Sequence, residues 1–114
     1  MSSNRILVVD DEPFNLDIVG EYLEEEGYRL EMANSGEEAW QRLQDPGADF
    51  DLIILDRMMP GIDGMEVLRR IKADARLNAL PVIMQTAAAS PDQVREGLAA
   101  GAYYYLTKPF EPES

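Results

Sequence analysis

The chain has 114 residues, no cysteine and no histidine, and its formal net charge is −12. This length fits a single domain over residues 1–114, with one core. Without cysteine or histidine there is no disulfide and no thiolate or imidazole ligand, so any metal must be held by oxygen. The charge argues against electrostatic binding of nucleic acid or anionic lipid, because both are polyanions. No apolar run is long enough to span a membrane and no secretory signal is evident, so we expect a cytoplasmic location.

Short apolar runs alternate along the chain with segments whose apolar residues have helical spacing. Strands are predicted over residues 5–11, 28–33, 51–56, 80–86 and 102–108. Helices are predicted over residues 13–26, after a capping serine at position 35, over the apolar stripe 65–71, and from residue 90 to the glycine at 101. Because the strands are apolar along their whole length, this alternation predicts an α/β fold with a parallel sheet covered by helices on both faces.

Polar residues end four of the predicted strands: Asp10 and Asp11 the first, Asp56 the third, Thr86 the fourth and Lys108 the fifth. The carboxyl ends of parallel strands meet at one rim of the sheet, where ligands bind. Three carboxylates brought together repel one another unless a cation is bound, and an oxygen-only site open to water favours Mg²⁺. A carboxylate beside Mg²⁺ can accept a phosphoryl group, with a lysine ammonium and a hydroxyl to position it. Each residue alone is more often a turn former or an ordinary strand residue; the combination predicts phosphoryl transfer.

Four motifs occur in a fixed order: VVDDE at residues 8–12, LDRMMPGIDG at 55–64, QTA at 85–87 and TKPF at 107–110. With this order and spacing, nearly the whole chain resembles the receiver domain of two-component response regulators, of the chemotaxis-regulator type. The resemblance implies a flavodoxin-like, doubly wound sheet of five parallel strands in the order 2-1-3-4-5. It also implies a signalling domain that takes a phosphoryl group from the phosphohistidine of a sensor histidine kinase or phosphotransfer protein. Such a domain catalyses its own phosphorylation and turns over no external substrate.

The resemblance also implies roles for residues around the metal. Asp56 would be the phosphoacceptor, and Asp11 and Asp56 would bind Mg²⁺ directly. Asp10 would hold the ion through water, and the backbone carbonyl of Met58 would complete the protein ligands.

The resemblance also implies which residues respond to phosphorylation. Lys108 would pair with the phosphoryl oxygens, and Thr86 would hydrogen-bond one of them. Tyr105 matches the aromatic residue that turns inward behind the threonine when receivers are phosphorylated. Strand alternation would put Tyr103 and Tyr105 on one face of the sheet and Tyr104 on the other. The simpler interpretation, that all three tyrosines are packing or surface aromatics, stays open.

Three positions depart from the common receiver pattern or are unexplained by it. Met58 and Ala88 offer no amide or acid that could orient an attacking water, so we expect slow self-dephosphorylation. Gln85 is polar at the end of a buried strand and must find partners there; the sequence suggests no function for it.

Two other classes of function predict different residues at these positions. An Mg²⁺-dependent phosphohydrolase with an aspartyl-phosphate intermediate typically has a second acid two residues after the nucleophile, where this chain has Met58. A receiver-like binding module that is not phosphorylated is expected to have lost some of the acids, the threonine or the lysine, and all of them are present.

Only the residues EPES follow Phe110, whereas receivers normally have a fifth helix there. We therefore expect the usual fifth helix to be absent from this chain. The chain is then either a piece cut from a longer protein, which we favour, or a homo-oligomer that pairs through the uncovered face.

Overall fold

The computed structural model describes residues 4–47, 49–86 and 90–107, which form five strands and four helices in strict alternation. The strands are β1 (Arg5–Val9), β2 (Arg29–Ala33), β3 (Leu52–Asp56), β4 (Val82–Thr86) and β5 (Tyr104–Thr107). The helices are α1 (Pro13–Glu25), α2 (Gly36–Gln44), α3 (Gly64–Ala73) and α4 (Pro91–Ala99). No helix in these ranges is long and apolar enough to cross a membrane.

The strands form one parallel sheet in the order β2-β1-β3-β4-β5, which confirms the fold and strand order implied by the resemblance. The chain goes from β1 to β2 on one side and then returns to place β3 on the other side of β1. Strand order therefore reverses between β1 and β3, where doubly wound sheets bind their ligands. In the register Val9 lies beside Leu55, so that Asp10 and Asp56, the next residues, come out of the sheet side by side.

Two apolar clusters cover the two faces of the sheet, as expected for strands without polar alternation. The larger cluster joins the sheet to α2 and α3 and includes Leu7, Val9, Ile53, Leu55, Val82, Met84, Ala39, Leu43, Leu68 and Ile71. The smaller cluster joins the opposite face to α1 and consists of Ile6, Val8, Leu16, Val19 and Ile54. Because neighbouring strand residues point to opposite faces, each residue at the rim belongs to one of these two sides.

Side-chain caps begin helices α2 and α4 where the sequence predicts them. The Ser35 hydroxyl accepts a hydrogen bond from the backbone N–H of Glu38 at 3.0 Å, but the Glu38 carboxylate accepts from Asn34 N–H rather than from Ser35. That bond from Asn34 lowers the pKa of Glu38, with Arg42 adding to the effect against a smaller opposing effect of burial. In α4 the reciprocal pair is complete, since Ser90 and Gln93 each bond the other's backbone N–H.

The face beside α1 has an open apolar groove lined in part by Leu23, Ile83, Tyr103 and Leu106. The described residues end with β5, so the expected absence of the usual fifth helix stays a prediction. Residues 108–114 lie outside the described ranges. Pairing of this face with a second copy stays a prediction.

Candidate functional site

Three carboxylates converge at the rim of the sheet, as the strand ends predicted. Asp10, Asp11 and Asp56 each present a carboxylate oxygen, and these oxygens all lie within 4.8 Å of one another. Asp10 and Asp56 are buried, whereas Asp11 is exposed to solvent. Negative charges this close repel one another unless a cation lies between them. The cluster could therefore hold a metal ion, with Asp11 at its open side.

Asp10 is completely buried and hydrogen-bonded through both carboxylate oxygens. Oδ1 accepts from the backbone N–H of Glu12 at 2.9 Å, and Oδ2 accepts from the side-chain amide of Gln85 at 3.4 Å. Gln85, the polar residue for which the sequence suggests no function, thus contacts the acidic cluster from β4. Two donors on one carboxylate fix its orientation, as partners of metal-binding acids commonly do.

Asp56 is the last residue of β3 and is 2% exposed. Its Oδ1 accepts from the backbone N–H of Met58 at 3.2 Å, so that the turn after the strand fixes the carboxylate. The turn itself is bound on both sides: Arg57 N–H donates to the Gln85 carbonyl at 2.9 Å, and Gly64 N–H donates to the Arg57 carbonyl at 3.0 Å. The Met58 side chain is 66% exposed at this edge, and the predicted role of its carbonyl stays a prediction.

The other predicted site residues have different outcomes. Thr86 is the last residue of β4 and is buried, one residue beyond Gln85, which lies beside Asp56 in the register. Thr86 therefore ends its strand at the same rim as the acids. Lys108 and Ala88 lie outside the described residues.

The three consecutive tyrosines differ in their surroundings. Tyr105 packs against the larger cluster, with its ring close to Gly97 of α4. Tyr103 and Tyr104 are 75% and 56% exposed. The alternation expected for Tyr103 was wrong, because β5 begins only at Tyr104 and Tyr103 lines the groove on the face of the smaller cluster. Tyr105 is thus the tyrosine whose ring lies against α4, and its role as the switch residue stays a prediction.

Arg57 is a residue that the sequence analysis missed. Its side chain is 13% exposed and forms an ion pair with Glu96 of α4. Its Nη1 also donates to the Tyr105 hydroxyl at 3.3 Å and to the Gln93 carbonyl at 3.4 Å. Burial lowers the pKa of Arg57, but the hydrogen bonds with Glu96 and Tyr105 outweigh it, and the pKa is raised overall. The available signal was its position two residues after Leu55, which places it on the side of the larger cluster.

Known proteins resemble this chain over most of its length. Residues 6–114 match the response regulator receiver domain family. The transcriptional regulatory protein ResD of Bacillus subtilis is 41% identical over 111 residues, which cover 97% of this chain and 44% of ResD. The phosphate regulon transcriptional regulatory protein PhoB of Pseudomonas aeruginosa is 39% identical over 112 residues, covering 98% of this chain and 48% of PhoB. The structure of the Vibrio cholerae chemotaxis response regulator CheY4 superposes with a TM-score of 0.90 at 36% identity, covering 98% of this chain and 92% of that one.

The chain belongs to the receiver domain family of response regulators. Phosphoacceptor signalling in two-component systems is the standard function of this family, which confirms the function predicted from the sequence. The family has histidine kinases as partners in two-component signalling, and its role is signalling rather than turnover of an external substrate. The chain spans less than half the length of the two curated relatives, ResD and PhoB.

Proposed function

We propose that Asp56 is the phosphoacceptor of this receiver domain. The observation that carries the proposal is the convergence of Asp10, Asp11 and Asp56 within 4.8 Å at the end of a buried strand. Asp56 suits the role because its carboxylate is held by the Met58 N–H at the rim, at the point where strand order reverses. A nucleophile fixed in this way loses little freedom when it meets the donor.

Mg²⁺ is the ion that we propose for the cluster. Oxygen ligands with one solvent-exposed acid suit a small hard cation that keeps several waters. Asp11 and Asp56 would bind it directly, Asp10 through water, and the Met58 carbonyl would be a further ligand. The chemistry that Mg²⁺ supplies when bound is positive charge, which offsets that of the carboxylates and of the phosphoryl oxygens.

The reaction transfers a phosphoryl group from a histidine nitrogen of the partner to the Asp56 carboxylate. A carboxylate oxygen of Asp56 forms a bond to the phosphorus of a partner's phosphohistidine, and the phosphorus–nitrogen bond breaks. The imidazole nitrogen keeps the bonding pair and takes up a proton from water. In this proposal Lys108 pairs with the phosphoryl oxygens, and Thr86 hydrogen-bonds one of them in the product. The donor is a sensor histidine kinase or phosphotransfer protein in the cytoplasm, and the phosphorylated domain changes its binding to a downstream protein through Thr86 and Tyr105.

Incubation with acetyl phosphate and MgCl₂ tests the phosphoacceptor. Intact mass is expected to show one added phosphoryl group on the wild type and none on Asp56→Asn, because the amide is not a nucleophile at neutral pH. The chain has no histidine, so the adduct cannot be a phosphohistidine. Asp51→Asn, at the exposed residue just before the opposite end of the same strand, is the matched control and should still be phosphorylated. An adduct on Asp56→Asn, or none on the wild type, would show the assignment to be wrong.

We further propose that self-dephosphorylation is slow because Met58 cannot hydrogen-bond an attacking water. Met58→Asn is expected to speed phosphate release on the order of tenfold, less than the factor typical of a true general base, because an amide can orient water but not take its proton. Release is followed as loss of the phosphoryl mass after the donor is removed. Met58→Leu, which adds no polar group, should release phosphate at the wild-type rate; an equal increase in both variants would refute the explanation.

A further inference from the structure

Helix α4 has little apolar surface buried against the rest of the protein. Of its residues only Gly97 is buried, and Leu98 is 44% exposed. A helix that buries few side chains gains little from the hydrophobic effect and opens locally at low free-energy cost. The position of α4 must therefore depend strongly on the polar contacts that it makes.

Those contacts gather on one side chain, that of Arg57. Gln93, Glu96 and Gly97 are spaced so that they share one face of α4. The Arg57 guanidinium bonds the first two, and the Tyr105 ring lies against the third, where a Cβ would come within 2.6 Å of it. Since Arg57 also donates to the Tyr105 hydroxyl, it joins α4 and β5 to the end of β3.

The backbone of Arg57 is fixed at the acidic site. It directly follows Asp56, its N–H bonds the Gln85 carbonyl, and its carbonyl accepts from Gly64 N–H. The Asp56 carboxylate is itself bonded to the next amide, that of Met58. A movement of this turn when charge is added to Asp56 would therefore move Arg57 too. The guanidinium would carry that movement to α4 and Tyr105, on the opposite side of the sheet from the smaller cluster.

We propose that Arg57 is a positioning residue that couples phosphorylation of Asp56 to the position of helix α4 and of Tyr105. This inference rests on the proposed function, in which Asp56 carries the phosphoryl group. Arg57 need not touch that group, since it acts through Glu96 and the Tyr105 hydroxyl. Two sites influence each other only through the interactions that couple them. In a protein without the Arg57 contacts, phosphorylation of Asp56 should therefore change α4 less.

The forked shape of the arginine side chain is part of the inference. One terminal nitrogen bonds Tyr105 and Gln93 while the other bonds Glu96. A lysine has one ammonium at the end of a flexible stem and cannot serve partners on two elements in this way. Arg57→Lys should therefore keep the ion pair with Glu96 but retain only part of the coupling between Asp56 and α4.

Hydrogen exchange of α4, measured by mass spectrometry with and without acetyl phosphate and MgCl₂, tests the proposal. In Arg57→Met the α4 amides should exchange about three- to tenfold faster than in the wild type, because the loss of these bonds makes local opening easier. Phosphorylation should change α4 exchange in the wild type, and in Arg57→Met that change should fall to less than half. Arg95→Met is the matched control on the same helix, since Arg95 is 70% exposed and pairs only with Asp92 among the described residues.

Intact mass of the same samples separates the failure of this inference from the failure of the proposed function. If the wild type takes no phosphoryl group, the proposed function is wrong and the inference with it. If both proteins take it and α4 responds equally, or if wild-type α4 does not respond, Arg57 does not couple the two sites although Asp56 is phosphorylated.

Should circular dichroism show Arg57→Met unfolded, Glu96→Gln removes the same ion pair from a residue that is 53% exposed, and the same criteria apply. Tyr105→Phe isolates the hydroxyl, and a response of α4 as large as in the wild type would limit the coupling to Glu96 and the Gln93 carbonyl.

Discussion

Replacement of Asp11 by asparagine is expected to stabilise the metal-free protein and to abolish its stabilisation by Mg²⁺. Asp11 lies with Asp10 and Asp56 in a group whose oxygens are within 4.8 Å of one another. Removal of its charge relieves a repulsion of about 1 kcal/mol or more, since that is the value for two unit charges at such a separation in bulk water and both neighbouring acids are buried. The same change removes a proposed ligand, so the two effects on the free energy of unfolding have opposite signs.

Urea unfolding in EDTA and in MgCl₂ measures both effects. Wild-type protein should gain ~1.4 kcal/mol when the Mg²⁺ concentration is tenfold above its dissociation constant, and Asp11→Asn should gain almost nothing. Asp17→Asn, which removes an exposed charge on α1, should respond to Mg²⁺ as the wild type does. Equal stabilisation of wild type and Asp11→Asn by Mg²⁺ would mean that Asp11 is not a ligand.

Gly64→Ala is expected to destabilise the protein by about 3 kcal/mol, near the upper end of what overpacking costs. A Cβ on Gly64 would lie 2.2 Å from the carbonyl oxygen of Asp56 and 2.8 Å from Cα of Arg57. Both are backbone atoms, so no rotation of a side chain can relieve the clash, and the turn that fixes Asp56 must shift. The affinity for Mg²⁺ should fall as well, since the carboxylate moves with that turn.

The control for this variant is Gly47→Ala, where the nearest neighbour of a Cβ among the described residues, Oδ1 of Asp45, is 3.5 Å away. That distance is an ordinary contact, and we expect a change in unfolding free energy within about 0.5 kcal/mol, as at other surface positions. Urea unfolding of both variants, with the wild type, gives the comparison. If Gly64→Ala were as stable as Gly47→Ala, the close packing of α3 against the end of β3 would be wrong.

The alternation of strands and helices could be predicted from the sequence because each segment has its own apolar pattern. Continuous runs such as residues 52–55 indicate burial on both faces, and the resulting parallel sheet places the strand-end acids together. The strand order came from the resemblance to receivers, since periodicity alone does not order strands. Strand ends were less accurate: the first strand was predicted to residue 11, but β1 ends at Val9 because the acids leave the sheet to form the rim.

The partners of Gln85 and Arg57 could not be predicted in the same way. Gln85 was recognised as a buried amide, but its bond to Asp10 depends on two strands separated by β3 and therefore on strand order. The contacts of Arg57 depend on how α4 lies on the sheet. Val94 and Leu98 are four residues apart on α4, but neither is buried, so this apolar spacing does not indicate which face of the helix lies on the sheet. Polar contacts of this kind follow from the assembled fold rather than from local sequence.

The register of β3 has a meaning for signalling as well as for folding. Asp56 is two residues after Ile54, which belongs to the smaller cluster, so it points to the same side of the sheet. Arg57 is two residues after Leu55, which belongs to the larger cluster, and points to the other side. Consecutive residues thus serve opposite sides of the sheet. A slip of the strand by one residue would exchange these sides, with the carboxylate toward α4 and the guanidinium toward α1. A deletion or insertion within β3 would therefore separate phosphorylation of the aspartate from the response of α4, even in a chain that still folded.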